Sequence, residues 1–241
     1  MQPHVIDRLR DLNRGFYQSF GDSFAATRVR VQPGVAQVMA ETPPDASVLD
    51  LGCGHGHLAE HLVQHGHHGS YLGIDSSETL IKIARSTSRH PHARFKLGDL
   101  QQPAWAQDIP ADFTHITAFA VLHHIAGSEP RLALLKAVRE HIQAEGVFIF
   151  SCWNFLASEK LRKRVQPWSV VGLSEQDVDP GDYLLDWRAG GLGYRYVHHY
   201  TEEELQQLAA AAGFRMIDNL YADGASGNLG LYQQWQPMPS G

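Results

Sequence analysis

Short apolar runs separated by polar, capped stretches set the rhythm of the chain from residue 46 onward. SVLDLG (47–52) has the pattern of a short buried strand, and a glycine loop joins it to LAEHLVQHG (58–66), whose apolar residues recur at helical spacing and which Gly66 ends. SYLGID (70–75) predicts a second strand. SSETLIKIARSTSR (76–89) follows with serine in front and apolar residues at Leu80, Ile81 and Ala84, a capped amphipathic helix. FKLGD (95–99), FTHITAFA (113–120) and GVFIFSCW (146–153) predict further strands, separated by QQPAWAQDIP (101–110) and the helical EPRLALLKAVREHIQ (129–143). Strands alternating with helices predict an α/β fold with a mostly parallel sheet covered on both faces.

Three stretches fall outside that alternation. Residues 4–30 read as helical and then loop-like, ending in TRVR, a candidate flap. Residues 154–199 carry scattered aromatics, Pro167, Pro180 and the Gly190-Gly191 pair, so an insertion with little regular structure is expected there. TEEELQQLAAAAGF (201–214) predicts a helix with Thr201 as N-cap and Glu204 placed for a capping box, and RMIDNLY (215–221) and LGLYQQWQ (229–236) predict two last strands around a turn. The expected organisation is one domain: a flap over 1–45, a core over 46–153, an insertion over 154–200, and a C-terminal helix and hairpin over 201–241.

Composition narrows the function classes. The 241 residues carry 20 Lys+Arg against 26 Asp+Glu, net −6, and no apolar run reaches the roughly 18 residues that cross a bilayer. The N-terminus lacks the apolar segment of a signal peptide, so a soluble cytoplasmic protein is expected, without a membrane partner. Cys53 and Cys152 lack CxxC spacing and read as free thiols. The acidic balance argues against gripping nucleic-acid phosphates by charge alone. Fifteen histidines make that balance sensitive to mild acidity.

The sharpest chemical signal is Asp50-Leu51-Gly52-Cys53-Gly54-His55-Gly56, directly after a strand and before a helix. Glycines there let the backbone turn tightly and approach a ligand, and open parallel sheets bind ligands at the carboxyl ends of their strands. Asp75 closes the second strand, where a carboxylate can accept hydrogen bonds from ribose hydroxyls, and Asp99 closes the third. The G-x-G-x-G spacing departs from the G-x-G-x-x-G of nicotinamide enzymes, and the preceding acid suits a sulfonium and an ammonium group better than a pyrophosphate.

Taken together, DxGxGxG and the two strand-ending acids resemble the class I S-adenosylmethionine (SAM) methyltransferases. The resemblance implies a Rossmann-like, seven-stranded, mostly parallel sheet and SAM as cofactor. It places Asp50 with Gly52, Gly54 and Gly56 around the methionine portion, Asp75 on the ribose, and Asp99 with Leu100 near the adenine. Cys53, Ser76, Ala118 and Val121 are the further cofactor-binding candidates. No metal site is expected. His57, His61 and His65 share a helix face, but without the HExxH order they read as a solvated face.

On the acceptor side, AFAVLHHI (118–125) puts His123 and His124 at the rim, each a candidate general base or orienting group. Beyond the core the chain resembles the tRNA wobble-uridine carboxymethyl methyltransferases. That match rests on Phe24 and Thr27-Arg28, AVLHH, GVFIFSCW, GDYLLDW, Arg195-Tyr196 and His198-His199-Tyr200. The chain departs from that family at His55, where asparagine is usual, and at Asp186-Trp187, where PW is usual. The resemblance implies a carboxylate acceptor clamped by Arg28 or Arg195, since an ionised carboxylate needs a clamp rather than a base. It also implies a small protein partner. Methylation of a small metabolite, or SAM binding without catalysis, are the other expectations. The basic run Lys160, Arg162, Lys163 and Arg164 could touch RNA phosphates or form a solvated helix face.

Overall fold

Buried apolar strands at the centre of the chain form a seven-stranded sheet in the order β3-β2-β1-β4-β5-β10-β9. The strands are β1 (Val48–Leu51), β2 (Tyr71–Asp75), β3 (Ala93–Leu97), β4 (Phe113–Phe119), β5 (Ile142–Trp153), β9 (Phe214–Ala222) and β10 (Gly230–Pro237). The computed structural model describes residues 1–26 and 31–239, without the side chains of residues 21–26. β1 is buried at every position, because it lies mid-sheet with layers on both faces, and this is why its sequence is nearly continuous in apolar residues. It pairs in parallel with β2 and β4, and β2–β3 and β4–β5 are parallel too. Only β10 runs against its neighbours. The sheet is therefore a mixed, Rossmann-like α/β sheet.

Helices cover both faces as the alternation predicts. On one side α2 (Pro33–Val38), α3 (His57–Gln64) and α4 (Glu78–Thr87) contribute Val35, Leu58, Leu62, Ile81 and Ala84 to a core that includes Val48 and Tyr71. On the other, α5 (Ser128–His141) and α7 (Glu202–Ala211) pack Leu134, Leu135, Val138, Leu205 and Ala209 on Leu49, Ile116, Phe148 and Phe150. Ser77 caps α4 by accepting the Leu80 N–H.

The insertion is more regular than its Pro and Gly content suggests. After the short helix α6 (Glu159–Arg162), β6 (Val165–Gln166), β7 (Asp182–Trp187) and β8 (Gly193–His198) form an antiparallel sheet. Its two faces are both covered, which hides the period-2 signal: Leu184 and Tyr196 pack on Val5 and Leu9, while Leu185 and Val197 pack on Phe155. Val5 and Leu9 belong to α1 (Pro3–Ala26), a long helix where the sequence suggested a helix giving way to a loop. Its polar anchor is Asn13, whose amide donates to the Tyr196 and His124 carbonyls while its oxygen accepts the Tyr196 N–H. Thr27 and Arg28, together with the side chain of Phe24, lie outside the described residues.

The capping box forms by half. Thr201 Oγ1 accepts the Glu204 N–H at 3.1 Å, but the Glu204 carboxylate turns to His198 rather than back to the cap. A buried cation competes better for a carboxylate than a backbone N–H does.

Candidate active site

The carboxyl ends of β1, β2 and β4 meet at the glycine loop. Gly52, Gly54 and Gly56 all take left-handed backbone angles, with φ of +73°, +55° and +85°. A Cβ on Gly52 would lie 2.4 Å from Val121 Cγ2, so Val121 packs over the loop from the end of β4. At Gly54 the missing Cβ faces open space, a place where a ligand can approach the backbone. Asp75 closes this cradle: Oδ2 accepts the Gly54 N–H at 2.9 Å and Oδ1 the Ser77 N–H at 2.8 Å. Burial raises its pKa against those donors. Ser76 beside it is exposed. Past β3, Asp99 accepts the Gln101 N–H at 3.0 Å, and half-buried Leu100 packs on the core.

Three candidates lie beneath the loop rather than along it. Asp50 is 3% exposed, and its two oxygens accept from Tyr71 Oη at 2.5 Å and Thr117 Oγ1 at 2.7 Å. It pins β1 to β2 and β4. Desolvation pushes its pKa up to about 6, opposed by the two hydroxyl donors. The Cys53 thiol sits against Gly73, where a Cβ would come within 2.8 Å of Sγ, and burial drives its pKa well up. Ala118 is fully buried in the core. These side chains support the loop from below.

On the acceptor side β4 ends at Ala120, a non-glycine residue with φ of +58°. Its N–H donates to the Ser151 carbonyl at 3.1 Å and to Ser151 Oγ at 3.0 Å, which hold the turn. Strained backbone of this kind costs about 1 kcal/mol or more and persists only where neighbours enforce it. The chain then enters a tight helical turn over Leu122–His124. Buried His123 points toward β5, its Nδ1 accepting the Trp153 N–H at 3.3 Å. His124 points toward α1 and β8: Nε2 is 2.8 Å from Tyr17 Oη and Nδ1 3.3 Å from the Tyr196 carbonyl. That carbonyl can only accept, so the proton belongs on Nδ1 and Nε2 receives the Tyr17 hydroxyl.

Arg195 reaches the same rim. Its guanidinium carbon stands 4.6 Å from the Trp153 ring centroid, 5.4 Å from Phe16 and 5.7 Å from Trp187, a cation framed by three aromatic rings. The structure thus brings His123, His124 and Arg195 together, through elements far apart in sequence. Tyr17, Phe16 and Asn13 escaped the sequence reading. Their signal was the spacing Asn13, Phe16, Tyr17, Phe20 along one face of α1. Among the described residues, no three His, Cys, Asp or Glu side chains gather as a metal-holding group. In the basic run, Lys163 pairs with Glu159 at 2.7 Å on an exposed face.

This sheet order, with a glycine cradle at β1 and an acid closing β2, defines a class I SAM-dependent methyltransferase. The chain belongs to the family described as "Methyltransferase domain", which matches residues 24–219. Over 195 residues it is 30% identical to the dTDP-3-amino-3,6-dideoxy-alpha-D-glucopyranose N,N-dimethyltransferase of Streptomyces fradiae, covering 74% of this chain and 73% of that one. A ubiquinone biosynthesis O-methyltransferase of Idiomarina loihiensis is 29% identical over 70% of this chain, and the match spans 62% of that enzyme. In fold the chain is similar to the Burkholderia thailandensis 1,6-didemethyltoxoflavin-N1-methyltransferase, solved with S-adenosylhomocysteine: TM-score 0.65, 20% identity, covering 99% and 92% of the two chains. The methyl donor is SAM. No helix among the described residues is long and apolar enough to cross a membrane.

Proposed function

We propose that the chain methylates an oxygen or nitrogen nucleophile of a small molecule. The observation that carries this reading is the Tyr17–His124 pair at the end of β4, 2.8 Å apart, with Nδ1 of the imidazole facing the Tyr196 carbonyl. SAM supplies an electrophilic methyl group on a cationic sulfonium. Gly52, Gly54 and Gly56 with Asp75 form a cradle that fits such a cofactor: the backbone is bare where Gly54 opens outward, and a carboxylate stands at the end of β2. The chain's own task is then alignment, exclusion of water and removal of the acceptor's proton. A hydroxyl or ammonium acceptor loses its proton to Tyr17 Oη, which passes its own to His124 Nε2. Relatives named as an O-methyltransferase of ubiquinone biosynthesis and an N,N-dimethyltransferase of a dTDP-amino sugar fit this acceptor class.

A second reading keeps a carboxylate as acceptor, with the carboxymethyl group of a tRNA wobble uridine as the case implied by the resemblance. Arg195 at the rim favours it, since a guanidinium clamps a carboxylate by two parallel hydrogen bonds. None of the relatives named above is described as acting on RNA. An acceptor screen with radiolabelled SAM separates the two readings. Label transferred to phenols, amines or amino sugars is expected; label in bulk tRNA alone would overturn the first reading, and none in any pool would leave a SAM-binding module.

A further inference from the structure

The motif Arg195-Tyr196, His198 divides between the two faces of β8. Arg195 joins the aromatic frame, whereas Tyr196 and His198 turn into a buried cluster with Arg131 of α5, Asp182 of β7 and Glu204 of α7. His198 Nδ1 lies 2.6 Å from Asp182 Oδ1, and Nε2 lies 2.9 and 3.0 Å from the two oxygens of Glu204. Arg131 Nη1 faces the same Nε2 at 3.4 Å, a longer contact than the two from Glu204. Ionised carboxylates only accept, so against charged Asp182 and Glu204 both ring nitrogens donate and the ring is an imidazolium. Arg131 Nη2 donates to Asp182 Oδ1 at 3.1 Å and to Tyr196 Oη at 2.6 Å, Tyr196 Oη donates to Asp182 Oδ1 at 2.7 Å, and Arg131 Nη1 is 3.6 Å from Glu204. Two cations thus balance two anions. Tyr200 lies edge-on to the His198 ring at 4.5 Å and completes the groups around it.

The cluster reaches the rim by three routes. Arg131 Nε donates to the Ile125 carbonyl at 2.9 Å, and Tyr200 Oη donates to the Leu122 carbonyl at 3.1 Å. These two carbonyls bracket the turn that carries His124. The third route is the Tyr196 carbonyl itself, which receives His124 Nδ1–H.

We propose that the imidazolium of His198 is a positioning residue: by anchoring Arg131 and Tyr196 it fixes the rim turn and so aims His124. The proposal rests on the reading of His124 as the acceptor-side base. Loss of the His198 proton leaves a ring lone pair against a carboxylate and one negative charge uncompensated among side chains at most 2% exposed, Glu204 apart. The turn then loosens. Burial and the nearby Arg131 guanidinium oppose the charged ring, but hydrogen bonds to Asp182 and Glu204 outweigh them and raise the pKa above the ordinary histidine value.

The test uses the full chain with isotope-labelled histidine and needs no acceptor. The ring C–H signals of His124 and His198, assigned from the His124→Asn and His198→Gln spectra, are followed by NMR from about pH 6 to 10. The His124 signal is expected to inflect where His198 loses its proton, in addition to any inflection of its own. Glu204→Gln, which weakens one of the two anionic contacts, should move both inflections to lower pH together while SAM affinity stays within about twofold of wild type. A His124 signal that passes unmoved through the titration of His198 overturns the proposal, and the wild-type spectra alone decide that. So does a shared inflection that Glu204→Gln leaves in place. Because no acceptor enters, failure of the small-molecule reading would show in the label screen and leave these signals unchanged.

Discussion

Single residues at the site divide by whether the space around them is filled. A Cβ on Gly52 would meet Val121 at 2.4 Å, so Gly52→Ala should lower the melting temperature through a clash in addition to the left-handed strain of about 1 kcal/mol. Gly54 faces open space, so Gly54→Ala should cost only the strain in stability but weaken SAM binding by tenfold or more, on the order of 1.4 kcal/mol. Calorimetry and thermal melts on both variants check the contrast; equal losses of affinity would remove Gly54 from the cofactor cradle. Asp75→Ala should likewise weaken SAM binding, by about 1.5 to 3 kcal/mol, since its carboxylate both organises the loop and faces the expected ribose. On the acceptor side, Tyr17→Phe and His124→Ala should retain SAM affinity while lowering turnover at least about tenfold, because they remove the proposed proton path rather than a cofactor contact. Normal turnover in both, on an identified acceptor, would make the pair structural.

Among elements, α1 is the one on which the proposed acceptor site depends most. It supplies Tyr17 and Phe16 to the rim, and its position over β8 is fixed by Val5, Leu9 and the three hydrogen bonds of Asn13. Asn13→Ala leaves the buried Tyr196 N–H without its acceptor, a loss of about 1 to 3 kcal/mol. The expected result is faster backbone amide exchange in α1 and β8, with the sheet core over β1 and β4 protected as before. Uniform loss of protection would mean that α1 is part of the global folding unit. The insertion shows a related dependence. Its strands gain regularity only by lying between α1 and Phe155, so the sequence over 154–199 reads as irregular when α1 is left out of account.

The whole molecule holds two buried histidine arrangements poised in opposite senses. His67 Nε2 donates to the Ala46 carbonyl and its Nδ1 accepts from His90 Nε2, while His90 Nδ1 accepts the His92 N–H. Every nitrogen is committed to the neutral ring. Burial lowers the pKa of both, with His68 adding to the lowering at His67 and His67 and His92 adding to it at His90. The unfolded chain therefore binds more protons than the native one just below the ordinary histidine pKa, and stability falls as pH drops through about 6.5. His198 works the other way: its contribution is complete below that pKa and is lost as pH rises through its raised folded value. A melting temperature that declines on both sides of neutrality is expected. His90→Asn should flatten the acid side and His198→Gln the alkaline side, and thermal melts across pH would show whether either limb stays where it was.

The sequence by itself determined the nucleotide-fold half of this protein. Apolar strands, the amphipathic helices between them with the Ser77 cap on α4, and the glycine loop followed by strand-ending acids are local signals, carried by residues within one turn or strand of each other, so they survive reading in one dimension. The same locality explains what was hidden. The position of Asp50 in the motif says nothing about Tyr71 and Thr117, which donate to its oxygens from the neighbouring strands. Glu204 looked like half of a capping box because His198 and Arg131 are brought to it only by β8 and α5 packing on α7. His123 and His124 were legible as rim residues, but their different directions follow from the tight helical turn over Leu122–His124, which sends neighbouring side chains to different sides, and the partner of His124 lies 107 residues away on α1. Charge and hydrogen-bond partnerships across elements depend on distances of a few ångströms, and only the tertiary structure sets those.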